Sequence, residues 1–589
     1  MSAEKLITDH IDIWTSAVQA KSSSGRGSGK KRELYGIKKL RELILELAVR
    51  GKLVPQDPTD EPASVLLERI AEEKAQLVKE KKIKKPKKLP EITEDDIPFK
   101  LPEGWSWGRV NELSKQVTDG VHHTPKYIDE GVPFISVKDL DGKTVSFDDC
   151  KYISHEQHIE INQRCNPEFG DILLCRIGTL GRATVVDTTE PFSLFVSVGL
   201  LKFFNEYLTS SYLHKVFHSP LLLKQYDEIK AGGSHTNKLN LGDIPRLWLP
   251  IPPINEQHRI VAKVDELMAL CDKLEQQTEA SLDAHQVLVE TLLTTLTNSQ
   301  DATELMANWG RISEHFDTLF TTEQSIDQLK QTILQLAVMG KLVPQDPTDE
   351  PAAKLLERIA EEKAQLVKEK KIKKQKALPP IAEDEKPFEL PKGWEWVKFG
   401  ELSEFINGDR SKNYPNKDEY VDQGIPWINT GHIEPDGTLT TKDMNFITKE
   451  KFDTLRSGKI IHTDLVYCLR GATFGKTAFV SPYVEGAIAS SLMIIRPYNV
   501  SLREFFYTYL ISPFGRSQIF RFDNGSAQPN LSANSVMLYA FPCPPIEEQI
   551  RITTKVRELF LMCDQLKQRL RDSQQTQLQL TDAIVEQAL

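Results

Sequence analysis

Gly471, Gly475, Lys476 and Thr477, inside "CLRGATFGKT" (468–477), are residue types that could cradle a triphosphate, with glycine backbone N–H groups and a lysine amine close together. Their spacing argues against that chemistry. A phosphate loop of the form G-x-x-x-x-G-K-[ST] has four residues between its glycines and opens a helix whose dipole holds the anion. Here there are three, and the following "AFVSPYVEGAIASSLMIIRP" is rich in β-branched and aromatic residues. Other catalytic sets are missing too. No N-P-P-F or D-P-P-Y occurs, and "NPEF" (166–169) puts Glu168 where a second proline is needed. There is no S-adenosylmethionine glycine loop, H-E-x-x-H or nucleophile elbow. His122 and His123 invite a metal reading but have no third ligand nearby in sequence, so no catalytic or metal-binding residue is assigned.

Length and composition bound the rest. A chain of 589 residues, 40% hydrophobic, can bury several cores, and length alone suggests about four domains. No run of 18 apolar residues and no signal-peptide pattern is present, so a cytoplasmic protein is expected. Cys150, Cys165, Cys175, Cys271, Cys468, Cys543 and Cys563 are odd in number and never spaced C-x-x-C, which predicts buried thiols rather than disulfides or zinc. The net charge of −10 opposes tight nucleic-acid binding by the whole surface and leaves it to local basic stretches or a basic partner.

The elements that position these residues are written twice. "GKLVPQDPTDEPASVLLERIAEEKAQLVKEKKIKKPKKLP" from Gly51 returns almost letter for letter from Gly340. The match continues through "PFKLPEGWSWGRVNELS" (98–114) and "PFELPKGWEWVKFGELS" (387–403). It resumes in "PIPPINEQHRIVAKVDELMALCDKL" (250–274) and "PCPPIEEQIRITTKVRELFLMCDQL" (542–566). The repeat units run from about 34 to 298 and from 323 to 589. Each predicts a first helix (Leu40, Ile44, Leu47 and Ala48; Leu329, Ile333, Leu336 and Ala337) ended by Gly51 or Gly340, then a proline-rich turn. A charged helix over "LLERIAEEKAQLVKEKKIKK" and a strand-rich head follow, and a long helix closes the unit. Ile260, Val264, Leu267, Cys271 and Leu274, matched by Ile552, Val556, Leu559, Cys563 and Leu566, have coiled-coil spacing, so the two closing helices are expected to pair. The bland alternative is an amphipathic helix packed on its own domain.

The frames are nearly identical while the heads diverge. "RIGTLGRA" (176–183) stands opposite "RGATFGKT", with Arg182 and Ala183 in place of Lys476 and Thr477; this excludes a shared nucleotide site and predicts a tight loop between strands. Two equivalent heads on an antiparallel helical spacer have the pseudo-twofold symmetry with which dimeric proteins read two DNA half-sites. A helix of ~40 residues spans about 60 Å, enough to set heads one DNA turn apart.

The "LPEGWSWGRVNEL" and "LPKGWEWVKFGEL" openings, the "GDIL…R.G..G" core and the "PIPP…EQ.RI…KV.EL" exit, each present twice and in order, resemble the specificity subunits of type I restriction–modification enzymes, type IB. The resemblance covers the chain from about residue 34. It implies an α+β, pseudo-twofold symmetric fold: a tandem duplication of two mixed α/β target-recognition domains separated by a long antiparallel helical coiled coil. The expected division is an N-terminal extension and flexible linker (1–33), a helical frame (34–98), recognition domain 1 (99–250), a coiled-coil spacer (251–387), recognition domain 2 (388–542) and a C-terminal helix (543–589).

The resemblance further implies a non-catalytic reader of an asymmetric bipartite DNA target, docked to two methyltransferase subunits and, in the full complex, to restriction or motor subunits. It places S-adenosylmethionine, ATP and Mg2+ on those partners and no cofactor on this chain. Ile260, Val264, Leu267, Ile552, Val556 and Leu559 mark the expected docking helices. The alternative function is a coiled-coil scaffold presenting two protein-binding heads.

Base readout uses Arg, Lys, Asn and Gln on loops held by a scaffold. The first head offers Thr118, His122, His123, Thr124 and Lys126, then Lys138 and Asp139, and Ser234, His235 and Asn237. The second offers Asn407, Arg410, Lys412, Asn413 and Tyr414, then His432, and Gln528 and Asn530. Arg176 and Arg470 occupy equivalent places beside the glycine loops and are expected to share one role, phosphate contact or structural pairing. The lysine runs "KEKKIKK" (79–85 and 368–374) look like DNA-binding tracts, but a solvated helix face accounts for them as well.

Overall fold

The computed structural model describes residues 3–21, 31–85, 89, 97–232, 237–300, 302–471, 473–522 and 531–589. The chain divides into two units, one of residues 1–281 with 573–589 and the other of residues 282–572.

In both units the repeated letters converge on one buried clamp. The Tyr35–Val49 helix ends at Gly51, whose φ of +66° suits glycine and whose missing Cβ leaves room for Pro102. Gln56, in the proline-rich turn, donates to the Gly51 carbonyl at 2.6 Å and to Glu256 at 3.1 Å. Trp105 Nε1 donates to the other Glu256 oxygen at 2.9 Å, and Arg259 pairs with Asp60 at 2.6 Å. The second unit repeats this with Gln345 and Trp394 on Glu548, at 3.0 and 2.9 Å, and Arg551 on Asp349. Burial pushes both glutamate carboxyls above their ordinary range, opposed by these donors. The "PQDPTDEP", "GW" and "EQ.R" motifs are therefore one joint between frame and head.

The apolar seams serve their own units. In the second unit Ile552, Val556 and Cys563 lie in one core with Ile326, Leu329, Ile333 and Ala337 of the Glu323–Val338 helix and with Val289, Leu293 and Leu296. Lys567 pairs with Asp327, and Arg571 with Glu323 at 2.8 Å. In the first unit Ile260, Val264, Leu267 and Cys271 are buried, and Arg41 of the first helix pairs with Asp272 at 2.6 Å and with Glu275. In the second unit the closing helix's seam thus shares one core with its own frame helix and with the end of the Ile254–Asn298 helix, and the first unit's seam is buried beside that unit's frame helix.

Residues 3–16, part of the expected N-terminal extension, pack on the frame. Helices Ala3–Thr8 and Ile11–Ser16 bury Ile7 and Trp14, and Gly36 sits so close beneath Trp14 that a Cβ would meet its carbonyl oxygen at 2.3 Å. The second unit has a counterpart in Ala302–Glu314 and Phe316–Leu319, which bury Ile312 and Leu319. The hinge histidines match, with His10 at φ −125°, ψ 22° and His315 at φ −115°, ψ 20°. The duplication therefore begins before residue 34. Residues 22–30 of the expected flexible linker lie outside the described residues.

Each head carries two four-stranded sheets. In the first head, Ser114–Asp119, Val198–Phe203, Ile172–Cys175 and Ala183–Val185 form an antiparallel sheet in that order. Ser403–Asn407, Leu492–Pro497, Leu465–Cys468 and Thr477–Phe479 repeat it in the second. Their central strands are buried on both faces, which is why they read as apolar runs. The other sheets share three strands and differ at their edges. The first head adds Tyr127–Ile128 beside Lys151–Ile153, and the second adds Lys459–Ile461 beside Glu485–Ile488. All seven cysteines are buried free thiols. No described helix is long and apolar enough to cross a membrane.

Candidate nucleic-acid interface

The glycine loops are hairpin turns. Cys175 N donates to Arg182 O at 2.8 Å, and Cys468 N donates to Lys476 O at the same distance; strands, not helices, follow both. Gly471 and Gly475 have φ of +92° and +79°, which glycine adopts without strain. Thr477 is buried with its hydroxyl on the Gly475 carbonyl. The lysine and threonine of the apparent phosphate loop are thus parts of a turn.

In the first head the Ser114–Asp119 strand delivers a loop whose His122, His123, Thr124 and Lys126 are exposed. Gly120 crosses so near Leu194 that a Cβ would meet its carbonyl oxygen at 2.0 Å. Asp119, 1% exposed, anchors the loop by gathering Arg176, Arg164 and His122, the last at 3.2 Å. Thr118 is buried in the strand and is not available as a reader. Arg176 is also enclosed; its Nε donates to Leu239 O at 3.1 Å and its Nη1 to Val196 O at 3.0 Å. Its guanidinium is thus taken up by contacts within the head. Arg470, its counterpart in sequence, is exposed, with no ion pair among the described residues, so the expectation of one shared role is corrected.

The second head delivers Arg410 and Lys412, both exposed, from the same place. Its loop is anchored differently. Asp409, 2% exposed, accepts the backbone N–H groups of Ser411 and Arg456, both at 2.6 Å. These contacts hold its carboxyl below the ordinary range against the opposing effect of burial. Asn407 is half-buried at the strand end, Asn413 donates to Thr454 O at 2.8 Å, and Tyr414 packs edge-on against Trp427 at 5.3 Å.

Two further candidates are corrected by burial. Asp139 caps a short turn by accepting Ser136 N at 2.8 Å, and His432 caps the equivalent turn by accepting Asn429 N at 3.1 Å. They are 5% and 6% exposed. Lys138 stays exposed and donates to Asp149 O, and Asn237 is exposed. Ser234, His235, Gln528 and Asn530 lie outside the described residues. Sequence reasoning missed Arg164 and Arg456, exposed arginines just beyond the His155–Asn162 and Lys449–Thr454 helices. Each stands beside its loop's anchoring aspartate. Their signal was an arginine seven residues before Asp171 and eight before Asp464, the aspartates that precede the Ile172–Cys175 and Leu465–Cys468 strands and pair with Lys202 and Arg496. Among the described residues no group of three metal-ligating side chains is found.

One feature distinguishes the heads electrostatically. His214 and His218 lie 4.4 Å apart between ring centres, with His214 Nε2 on Gly142 O at 2.7 Å, where the second head has Tyr507 against Gly437. Burial, with His218 adding to it, pushes His214 down to about 4. A histidine lowered on folding is protonated more readily when unfolded, so its stabilisation is complete above pH 6.5 and is lost as pH falls towards about 4. The first unit should lose up to roughly 3 kcal/mol over that window. His214→Gln should flatten the profile in urea titrations run from pH 4 to 7.5.

Two matches to the type I restriction modification DNA specificity domain cover residues 102–284 and 391–573. The chain belongs to the family of type I restriction–modification specificity subunits, the DNA-recognition subunits of those systems. It is 43% identical over 628 aligned residues to the EcoAI specificity subunit of Escherichia coli, covering 100% of both chains. The EcoEI specificity subunit of Escherichia coli is 42% identical over 618 aligned residues, also covering 100% of both. Among solved structures, the HsdS subunit from Thermoanaerobacter tengcongensis aligns with 83% of this chain and 98% of its own, at 18% identity and a TM-score of 0.40.

Proposed function

We propose that each head reads one half of an asymmetric bipartite DNA target, and that the long helices fix the gap between the halves and dock two methyltransferase subunits. The observation that carries this is the placement of two unlike polar loops, 120–126 and 408–413, on equivalent strands of equivalent frames. In this reading His122, His123, Thr124 and Lys126 serve one half-site, joined by Arg164 and Lys138. Arg410, Lys412 and Arg456 serve the other, with Arg470. The helices Ile254–Asn298 and Ile546–Ala588 form the antiparallel coiled-coil spacer and give the molecule its pseudo-twofold symmetry.

Docking uses the outer faces of these helices. Of the six marker residues, Ile260, Val264, Leu267, Ile552 and Val556 are buried and Leu559 is packed against the same core. Ile550, Leu561 and Met562, by contrast, are 57%, 61% and 62% exposed, and Ile550 and Leu561 are three helical turns apart on one face. Methylation is done by the partner, which carries S-adenosylmethionine; ATP and Mg2+ belong to the restriction or motor subunits, and the assembly works in the cytoplasm.

The test is selection from random duplex DNA by the complex with its methyltransferase, followed by sequencing of the bound fraction. Two unlike short motifs at one fixed spacing are expected. Enrichment of a single motif, or of none, overturns the two-headed reading.

A further inference from the structure

Beyond base reading, we propose that the lysine tracts following the Ala63–Lys79 and Ala352–Lys368 helices grip the DNA sugar–phosphate backbone irrespective of sequence. This rests on the DNA-recognition reading above.

The tracts are not on a solvated helix face as the sequence suggests. Each helix stops with Glu80 or Glu369 as its C-cap, and the lysines continue into exposed chain. Residues 79–85 hold five lysines and one glutamate, and 368–376 hold six and one, in a chain of net charge −10. The described ion pairs here are Lys82 with Glu80 and Lys371 with Glu369, both at 2.8 Å, so most of the charge is left for an outside anion.

Backbone strain gives an independent observation. Lys81 and Lys370 both have φ of +58°, and they are the non-glycine residues of positive φ among those described. This is the position after a helix where glycine normally relieves the left-handed conformation, as Gly51 and Gly340 do at the preceding helix of each unit. A lysine is kept there in both copies despite that strain, which points to a use for the side chain.

Residue type and duplication select the partner. Every cation in both tracts is lysine. Lysine is depleted in protein–protein interfaces, where arginine is favoured for its fork of donors, but it serves well as a point charge on phosphate. The tracts are nearly identical while the heads beside them diverge. Such a tract suits a partner that presents the same surface to both heads, and the backbone does so whatever bases are read. Placement agrees: Lys74, on the first of these helices, donates to Ser114 O at 2.6 Å, at the root of the strand that carries the reading loop.

The experiment compares the assembled methyltransferase complex with one carrying Lys→Gln at 79, 81, 82, 84 and 85, titrating target and random duplexes over a range of salt. Each phosphate contact removed lowers the slope of log affinity against log salt by about 0.9, so loss of three lowers it by about 2.7. Affinity should fall by the same factor on target and random DNA, with the methylated base unchanged. A second variant, Lys81→Gly with Lys370→Gly, should keep or raise the unfolding midpoint while making the slope shallower. An unchanged slope in intact complexes overturns the proposal. So does loss of assembly with the methyltransferase, which would make the tract a protein-docking segment. If the unmodified complex does not prefer target over random DNA, the DNA-recognition reading itself fails.

Discussion

Replacing Asp119 by alanine should destabilise the first unit by about 3–5 kcal/mol, because it leaves the enclosed guanidinium of Arg176 without its counter-charge. Arg164, with 56% of its side chain exposed, can turn to water and adds little; Arg176, at 12%, cannot. The double variant Asp119→Ala/Arg176→Met should recover most of the loss, since removing both charges avoids the buried unpaired one. Asp409→Asn in the second unit should be milder, about 1–2 kcal/mol, because Asp409 holds its loop through backbone N–H groups rather than a buried cation. Urea unfolding followed by segment-resolved hydrogen exchange separates the units. A loss under 1 kcal/mol for Asp119→Ala, or no recovery in the double variant, would show that the carboxylate does not hold the loop.

The parts of this architecture that were legible in sequence rest on identical letters or strong periodicity. The tandem frame, the glycine at the end of each first helix and the strand–turn–strand nature of "RIGTLGRA" and "RGATFGKT" all follow from local chemistry. What escaped was set by tertiary contact. "DHIDIW" and "EHFDTLF" share few letters, and the first copy has 16 more residues between His10 and Leu40 than the second has between His315 and Leu329, so the matching hinge at His10 and His315 emerged only from geometry. The end of each charged helix was hidden because a lysine, not glycine, takes the left-handed position.

Polarity was the poorer guide within the heads. Asp139 and His432 looked like readers because polar residues in loops usually face solvent, yet each is turned inward to cap its own backbone. Arg176 and Arg470 share a sequence position but not an environment. The first has Asp119 to meet it; the second has Gly408 at the equivalent step of the strand, with the aspartate moved one residue on. One transposition, "TDG" against "NGD", thus changes which cation is left exposed beside each loop.

That difference leads to the strongest expectation about recognition. Arg410→Ala with Lys412→Ala should weaken binding to the full target by roughly thirtyfold to ten-thousandfold, since each base-edge contact contributes about 1–3 kcal/mol of discrimination. Both side chains are exposed, so the fold should be unaffected. The loss should be confined to one half-site. Targets altered in the half read by the second head should now bind like the full target, while alterations in the other half should cost as much as before. His123→Ala with Lys126→Ala should give the reciprocal pattern. If both contacts are to phosphate, affinity will instead fall equally on every sequence and the salt slope will drop by about 1.8. Loss of discrimination at both half-sites from either pair would mean that the heads do not read independently.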